Sequence, residues 1–374
     1  LLVTARTLAV LALACTVASV DTACAQRAPT APAAPSANAS LPLDYAVGAD
    51  LSFLAQAEAR GVRFKDGGVV KPGLQLFRDH GYNWIRLRLF HTVANSPWPL
   101  PNDLPYTLSL AKKAKAMGYK FLLDYHYSDT WADPQKQYTP KAWEQLTGQA
   151  LIDSVEAYTR TTIAALRDGG AMPDMVQIGN EISVGMIWPQ GKLPGNWDTL
   201  AELVKAGIRG VQAGRGSAPM PLIMIHIDKG GDKTTTKWFF DNLLQRGVQF
   251  DVIGQSYYPW WHGSLLELRD NLAFMATTYN KPIIVVEAAY NFRPTEYIGK
   301  PAPFPETPEG QRDFWDSVNT IVLATPNGLG KGVMWWEPAV EPGPIRSRGM
   351  FDDDGNALPV VTVFDKYTRG RVAR

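Results

Sequence analysis

Eight short apolar runs, each followed by a segment of helical periodicity, divide the chain from residue 44 onward. The runs are 45–50, 83–90, 120–127, 175–181, 221–227, 250–258, 282–289 and 331–336, and several are rich in Val, Ile and Leu, as strands buried on both faces are. Between them lie amphipathic stretches such as Leu108-Ser-Leu-Ala-Lys-Lys-Ala-Lys-Ala-Met117 and 151–166, with Gly118, Gly247 and Asn280 placed to stop helices. Strand–helix repetition without antiparallel hairpin signals calls for a parallel sheet. Eight units in 331 residues fit a single closed (β/α)8 barrel of the TIM type, with long loops after the second, third and fourth strands. The alternative, an open doubly wound sheet, asks for a Gly-rich phosphate loop after the first strand, and Gly48-Ala49-Asp50 does not supply one.

A barrel of this kind carries its active residues at the C-terminal ends of the strands. Polar and aromatic residues gather there: Arg86-Leu-Arg88, Asp124-Tyr-His126-Tyr-Ser-Asp129-Thr-Trp131, Asn180-Glu181, His226-Ile-Asp228, Ser256-Tyr257-Tyr258-Pro-Trp260-Trp261-His262, Glu287, and Trp335-Trp336-Glu337. Two of these ends run an apolar strand straight into a glutamate, where a carboxylate is costly unless hydrogen-bonded or put to work. Glu181 and Glu287 therefore form a candidate pair in one shared pocket. Hydrolysis of a glycosidic bond needs such a pair, one carboxylic acid to protonate the leaving oxygen and one carboxylate on the other face of the sugar ring. The acid is expected to have its pKa raised by burial and by its partner's charge, while the other is kept ionised by donors. Arg86 and Arg88, on one face of the second strand, and Tyr258 or Tyr257 after the sixth are the donors available. The chain holds 12 Trp, 14 Tyr and 14 Phe, and those at strand ends can serve as stacking platforms for sugar rings.

The segments Gly48-Ala-Asp-Leu-Ser52, Ile85-Arg-Leu-Arg-Leu89, Phe121-Leu-Leu-Asp-Tyr-His-Tyr-Ser-Asp-Thr-Trp-Ala-Asp-Pro134, Gln177-Ile-Gly-Asn-Glu-Ile182, Ser256-Tyr-Tyr-Pro-Trp-Trp-His-Gly263 and Val285-Val-Glu-Ala-Ala-Tyr290 resemble glycoside hydrolase family 53, the arabinogalactan endo-β-1,4-galactanases, over about residues 45–365. The resemblance implies an endo-acting, retaining enzyme that cuts β-1,4-galactan of the kind found as pectin side chains, with Glu181 as acid/base and Glu287 as nucleophile. It also implies that Asn180 meets the 2-hydroxyl of the sugar. Substrate contacts are expected from Asn180, Arg86, Arg88, His126, Asp129, Trp131, Tyr257, Tyr258, Trp260, Trp261 and Trp336. Phe90 stands where many relatives have Trp, and Asn291-Phe-Arg-Pro294 departs from the usual continuation; both bear on distal subsites rather than on the chemistry. Some bacterial relatives carry calcium in the loop after strand 8. Asp352-Asp-Asp-Gly355 lies beyond that region and lacks the alternating ligand spacing of a calcium loop, so no metal or other cofactor is expected.

Each nominated residue also has a plainer explanation. Glu181 and Glu287 could be structural partners of Arg86 or Arg88. Glu337 ends a strand as well and would be the first substitute for either. His126 and His226 could be hydrogen-bonded core histidines, and five scattered His do not make a metal site. Trp131, Trp260, Trp261 and Trp336 could be rim packing. Two further readings compete with the galactanase: a related barrel cutting another β-1,4-glycan such as mannan, and a non-catalytic carbohydrate-binding barrel, which would lose at least one glutamate where this chain has both.

At the N-terminus, Arg6, the apolar run Leu8–Ala14 and Ala23-Cys-Ala25 have the form of a secretory signal peptide cut after Ala25, and the apolar run is too short to span a membrane. Residues 26–43 read as an Ala/Pro-rich tether and 44–374 as the catalytic domain. Cys15 and Cys24 lack the Leu-small-small context of a lipoprotein, so a secreted or periplasmic protein without cysteine is expected. Residues 1–43 hold Arg6, Arg27 and Asp21; without them the 37 basic and 36 acidic residues fall to a balance of zero. That balance argues against nucleic acid or an anionic membrane as partner. The expected partners are β-1,4-galactan and galacto-oligosaccharides, met by a monomer.

Overall fold

The computed structural model describes residues 41–42, 44–294, 297, 299–341 and 344–368. Apart from residues 41–42, the signal-peptide and tether readings fall outside the described residues. Eight parallel strands, β1 (Ala46–Asp50), β2 (Trp84–Leu89), β3 (Lys120–Tyr125), β4 (Met175–Ile178), β5 (Leu222–Ile227), β6 (Val252–Tyr257), β7 (Ile283–Ala288) and β8 (Gly330–Trp335), pair in sequence order. β1 pairs with both β2 and β8, which closes the barrel. All eight apolar runs of the sequence hold a strand.

The helices are α1 (Leu54–Ala59), α2 (Gly73–Asp79), α3 (Leu104–Ala116), α4 (Gly148–Asp168), α5 (Trp197–Gly214), α6 (Lys233–Gln245), α7 (Leu265–Tyr279) and α8 (Pro308–Leu323). α3 starts earlier than its apolar period because Asp103 caps it, accepting from the Tyr106 amide at 2.9 Å, and it stops before Gly118 at φ 83°. α7 opens on a Ser264/Glu267 capping box and ends at Asn280, in the left-handed region.

Two features differ from the simple repeat. α1 and α2 both lie between β1 and β2, while after β8 the place of a final long helix is taken by a 3-10 segment, Pro359–Phe364, rich in β-branched residues, and a four-residue helix, Asp365–Thr368. Two small antiparallel hairpins also stand outside the barrel, Lys65–Asp66 with Val69–Val70 and Gly185–Met186 with Gly191–Lys192. The first turns on Gly67 and Gly68, both at positive φ, the Gly-Gly hairpin signal that a reading of the long apolar periods passes over.

Side chains alternate along each strand, and that alternation places the site. Ala46, Trp84, Leu122, Met175, Met224, Val252, Ile284, Val286 and Met334, one from each strand and two from β7, form an apolar plug inside the barrel. Counting on in steps of two reaches Asp50, Arg86 and Arg88, Asp124 and His126, Gln177, His226 and Asp228, Ser256, and Trp336. The intervening residues, Ile85, Leu87, Phe121, Leu123, Val176, Ile225 and Ile253 among them, pack in the larger core under the helices.

Candidate active site

Two buried arginines form the floor. Arg86 reaches Asp50 (Nη1–Oδ2 2.9 Å), Asp124 (Nη2–Oδ2 2.9 Å) and Glu287 (Nη1–Oε1 2.7 Å), and donates to Asn180 Oδ1 at 2.8 Å. Arg88 pairs with Asp50 at 3.0 Å and with Glu337. Two guanidiniums thus face four carboxylates where water is excluded, and each buried charge has a partner.

The glutamates sit in unlike surroundings. Glu287 is on β7, whose pairing with β6 shifts register between Gln255 and Ser256, so that Ser256 stands beside Glu287. This irregularity turns a residue of the wrong parity toward the barrel interior. Its carboxylate takes the Arg86 contact on Oε1 and accepts from Tyr258 Oη on Oε2 at 3.0 Å. Glu181 follows β4 with φ 48°, a left-handed conformation held at the start of the 3-10 turn Ile182–Val184. Its Oε1 accepts from Ser256 Oγ at 2.7 Å. Burial pushes the Glu181 carboxyl well above the usual range, and the charges of Glu287 and Asp228 push it further. Burial raises Glu287 too, but the adjacent Arg86 guanidinium and the Tyr258 hydroxyl pull against it. Both are raised, Glu181 the further of the two, since Glu287 alone has a guanidinium against it.

Both carboxyls open onto a cavity of about 560 Å³. Among the residues expected to meet substrate, His126, Trp131, Asn180, Tyr258, Trp261 and Trp336 line it. Trp131 lies over the Arg88 guanidinium, 4.4 Å from Cζ to ring centroid, with the ring centroids of Phe90, T-shaped to it, and Trp336 at 5.7 and 6.2 Å. Trp261 is half exposed. His126 is also a hydrogen-bonded core histidine, accepting from the Ala132 amide and facing Asp124 through Nε2.

The other expected contacts lie elsewhere. Arg86 and Arg88 are beneath the cavity, 1% exposed, and act on the glutamates and Trp131 rather than on its open face. Tyr257 points outward by strand parity, donating to Gly263 O and stacking on Phe314. Trp260 packs between Tyr290 and Tyr297. Asp129 ties the loops after β2 and β3 together, accepting from Asn95 Nδ2 and the Lys141 amide. Glu337 is taken by Arg88 and does not line the cavity.

Asp228, His262, Arg348 and the segment Ala132–Lys136 complete the lining and were not singled out as contacts from sequence. Parity was a usable signal for Asp228, two residues beyond His226; for Arg348, whose guanidinium lies 4.9 Å from the Trp336 ring centroid, no local pattern points inward. No group of three or more His, Cys, Asp or Glu placed to hold a metal occurs among the described residues. In the Asp352–Gly355 turn, Asp352 accepts from the amides of Asp354 and Asn356, and Asp353 pairs with Arg293.

Residues 46–365 match the family model described as glycosyl hydrolase family 53. An arabinogalactan endo-β-1,4-galactanase from Cellvibrio japonicus is 36% identical over 306 residues, spanning 78% of this chain and 80% of that protein. The family 53 catalytic domain of Ignisphaera aggregans superposes with a TM-score of 0.82 at 32% identity, covering 87% of this chain and 97% of that one. A fungal β-1,4-galactanase superposes with a TM-score of 0.77 at 33% identity, covering 86% and 98%.

Proposed function

We propose the following for a chain that belongs to glycosyl hydrolase family 53: it hydrolyses β-1,4-galactosidic bonds within galactan chains, with retention of configuration. The observation that carries the mechanism is the unlike pairing of two carboxyls at one cavity, Glu287 on Arg86 and Tyr258, Glu181 on Ser256. Glu287, held ionised by its donors, attacks the anomeric carbon while Glu181 gives its proton to the departing glycosidic oxygen. Glu181, now a carboxylate, takes a proton from water, and the hydroxide so formed displaces Glu287 to release the sugar. Arg86 also fixes Asn180, the residue offered to the 2-hydroxyl. Trp131, Trp261 and Trp336 offer apolar faces for neighbouring rings. These groups supply acid, base and nucleophile without a metal or cofactor. The substrate is the galactan of pectin side chains, and the enzyme acts as a monomer after export and cleavage of residues 1–25.

The test is reducing-sugar release by residues 44–374 from unsubstituted β-1,4-galactan, with β-mannan and carboxymethylcellulose in parallel, beside Glu287→Gln. Activity on galactan alone is expected, reduced at least roughly 10³-fold in the variant, with the product first released as the β-anomer by proton NMR. Activity on mannan instead would discard the substrate, an α-anomer would discard the retaining mechanism, and no turnover on any glycan would favour the carbohydrate-binding barrel.

A further inference from the structure

In the two-carboxylate scheme Ser256 enters only as a neighbour of Glu181 and His226 not at all, yet both are fully buried against the acid. His226, on β5, places Nε2 2.8 Å from Ser256 Oγ, and Ser256, on the neighbouring strand β6, places the same oxygen 2.7 Å from Glu181 Oε1. The other imidazole nitrogen, Nδ1, faces the Glu181 amide at 3.4 Å and Asn180 Oδ1 at 3.1 Å. Asn180 Oδ1 already accepts from Arg86 Nη2 at 2.8 Å, whereas the Glu181 N–H can only donate and has Nδ1 as its partner. Nδ1 is therefore the acceptor of the Glu181 N–H, and the ring proton sits on Nε2. With that proton directed at Ser256 Oγ, the serine hydroxyl has one direction left for its own, toward Glu181.

We propose that Ser256, oriented by His226, is a positioning residue that fixes which oxygen of Glu181 carries the catalytic proton. With Oε1 committed as acceptor from Ser256, the acid's proton resides on Oε2. After the proton has gone to the leaving group, the same hydrogen bond stabilises the carboxylate that must then act as base. His226 also holds the Glu181 backbone, so one side chain sets both the main chain and the side chain of the acid. The inference rests on Glu181 being the acid/base.

The test separates leaving groups. Cleavage of galactan needs a proton donor, whereas an aryl β-1,4-galactobioside that releases dinitrophenolate does not. In Ser256→Ala, kcat on galactan is expected to fall roughly ten- to a hundred-fold with KM little changed, while the glycosylation rate on the dinitrophenyl substrate stays within about threefold. Ser256→Thr, which keeps the hydroxyl, restores galactan turnover, and Ser256→Cys, a weaker donor of similar size, falls between. Thermal unfolding of each variant verifies the fold; should Ser256→Ala not fold, the Cys and Thr variants carry the comparison. Glu181→Gln runs alongside. If Glu181→Gln loses galactan activity selectively while the Ser256 variants lose both substrates equally or lose neither, the positioning role is overturned and the acid/base reading stands. If Glu181→Gln itself shows no dependence on the leaving group, the acid/base reading falls and this inference falls with it.

Discussion

At the scale of single residues, the site works by giving two chemically identical side chains different neighbours. Glu287 has a cation and a phenol; Glu181 has a serine and the charges of Glu287, Asp228 and Asp133. Activity should therefore vanish in both directions of pH. On the proposed roles it is lost as pH rises through the elevated pKa of Glu181, the acid, and as pH falls through that of Glu287, the nucleophile. Tyr258→Phe removes one donor to the Glu287 carboxylate, which raises that pKa. The acidic limb of the kcat/KM profile should move to higher pH, with kcat down roughly 10- to 100-fold; an unmoved limb would place the tyrosine's role elsewhere. Arg86→Met leaves Asp50, Asp124 and Glu287 without their shared cation, and urea unfolding should report a loss of about 3–5 kcal/mol. These roles were only half legible from sequence. Arg86 and Tyr258 were nominated as donors because they stand at strand ends, but nothing local distinguished Arg86, which meets Glu287, from Arg88, which meets Glu337.

At the scale of elements, the most informative pattern is the step of two along a strand. It puts Ser256 and Tyr258 inside and Tyr257 outside, and so decides between the two tyrosines that the sequence left open. The pattern fails at β7, where the shift against β6 turns Glu287 inward, because a register irregularity depends on the neighbouring strand. The last described helix offers a separate test. His80, at the end of α2, faces Asp365 at 2.9 Å in the final helix and Asp66 at 3.5 Å in the first hairpin. The hydrogen bond to Asp365, with the Asp66 charge, raises the His80 pKa against the opposing effect of burial. A raised histidine pKa gives stability that is complete below the unfolded value near 6.5 and is lost as pH climbs through the folded one. The stability difference between wild type and His80→Gln should thus be largest at about pH 5.5 and shrink toward about pH 8. A difference that does not vary with pH would mean the imidazole serves there only as a packing group.

For the whole molecule, closure of the barrel is the condition on which the site depends, since β1 beside β2 delivers Asp50 to both arginines and β1 beside β8 completes the ring from which Glu337 reaches Arg88. Closure rests on small residues at the seam. A Cβ on Gly332 would lie 2.5 Å from the carbonyl oxygen of Ala46, a main-chain atom of the adjoining strand, whereas one on Gly254 would meet Met224 Sδ at 2.7 Å, on a flexible side chain. Gly332→Val should cost more than Gly254→Ala, by about 1–3 kcal/mol or more of overpacking, as thermal or urea unfolding would measure; equal losses would mean that the seam can yield. The sequence by itself determined the repeat, the strands, the end of the barrel that holds the cavity and the two glutamates that share it, because alternation and strand-end composition are local properties. The tertiary structure alone decided that Glu181 and Glu287 differ, that Arg88 serves Glu337, and that Tyr257, Trp260 and Asp129 lie away from the cavity. Those outcomes depend on which side chains from other strands share a buried volume, and burial and opposite charge act across space rather than along the chain.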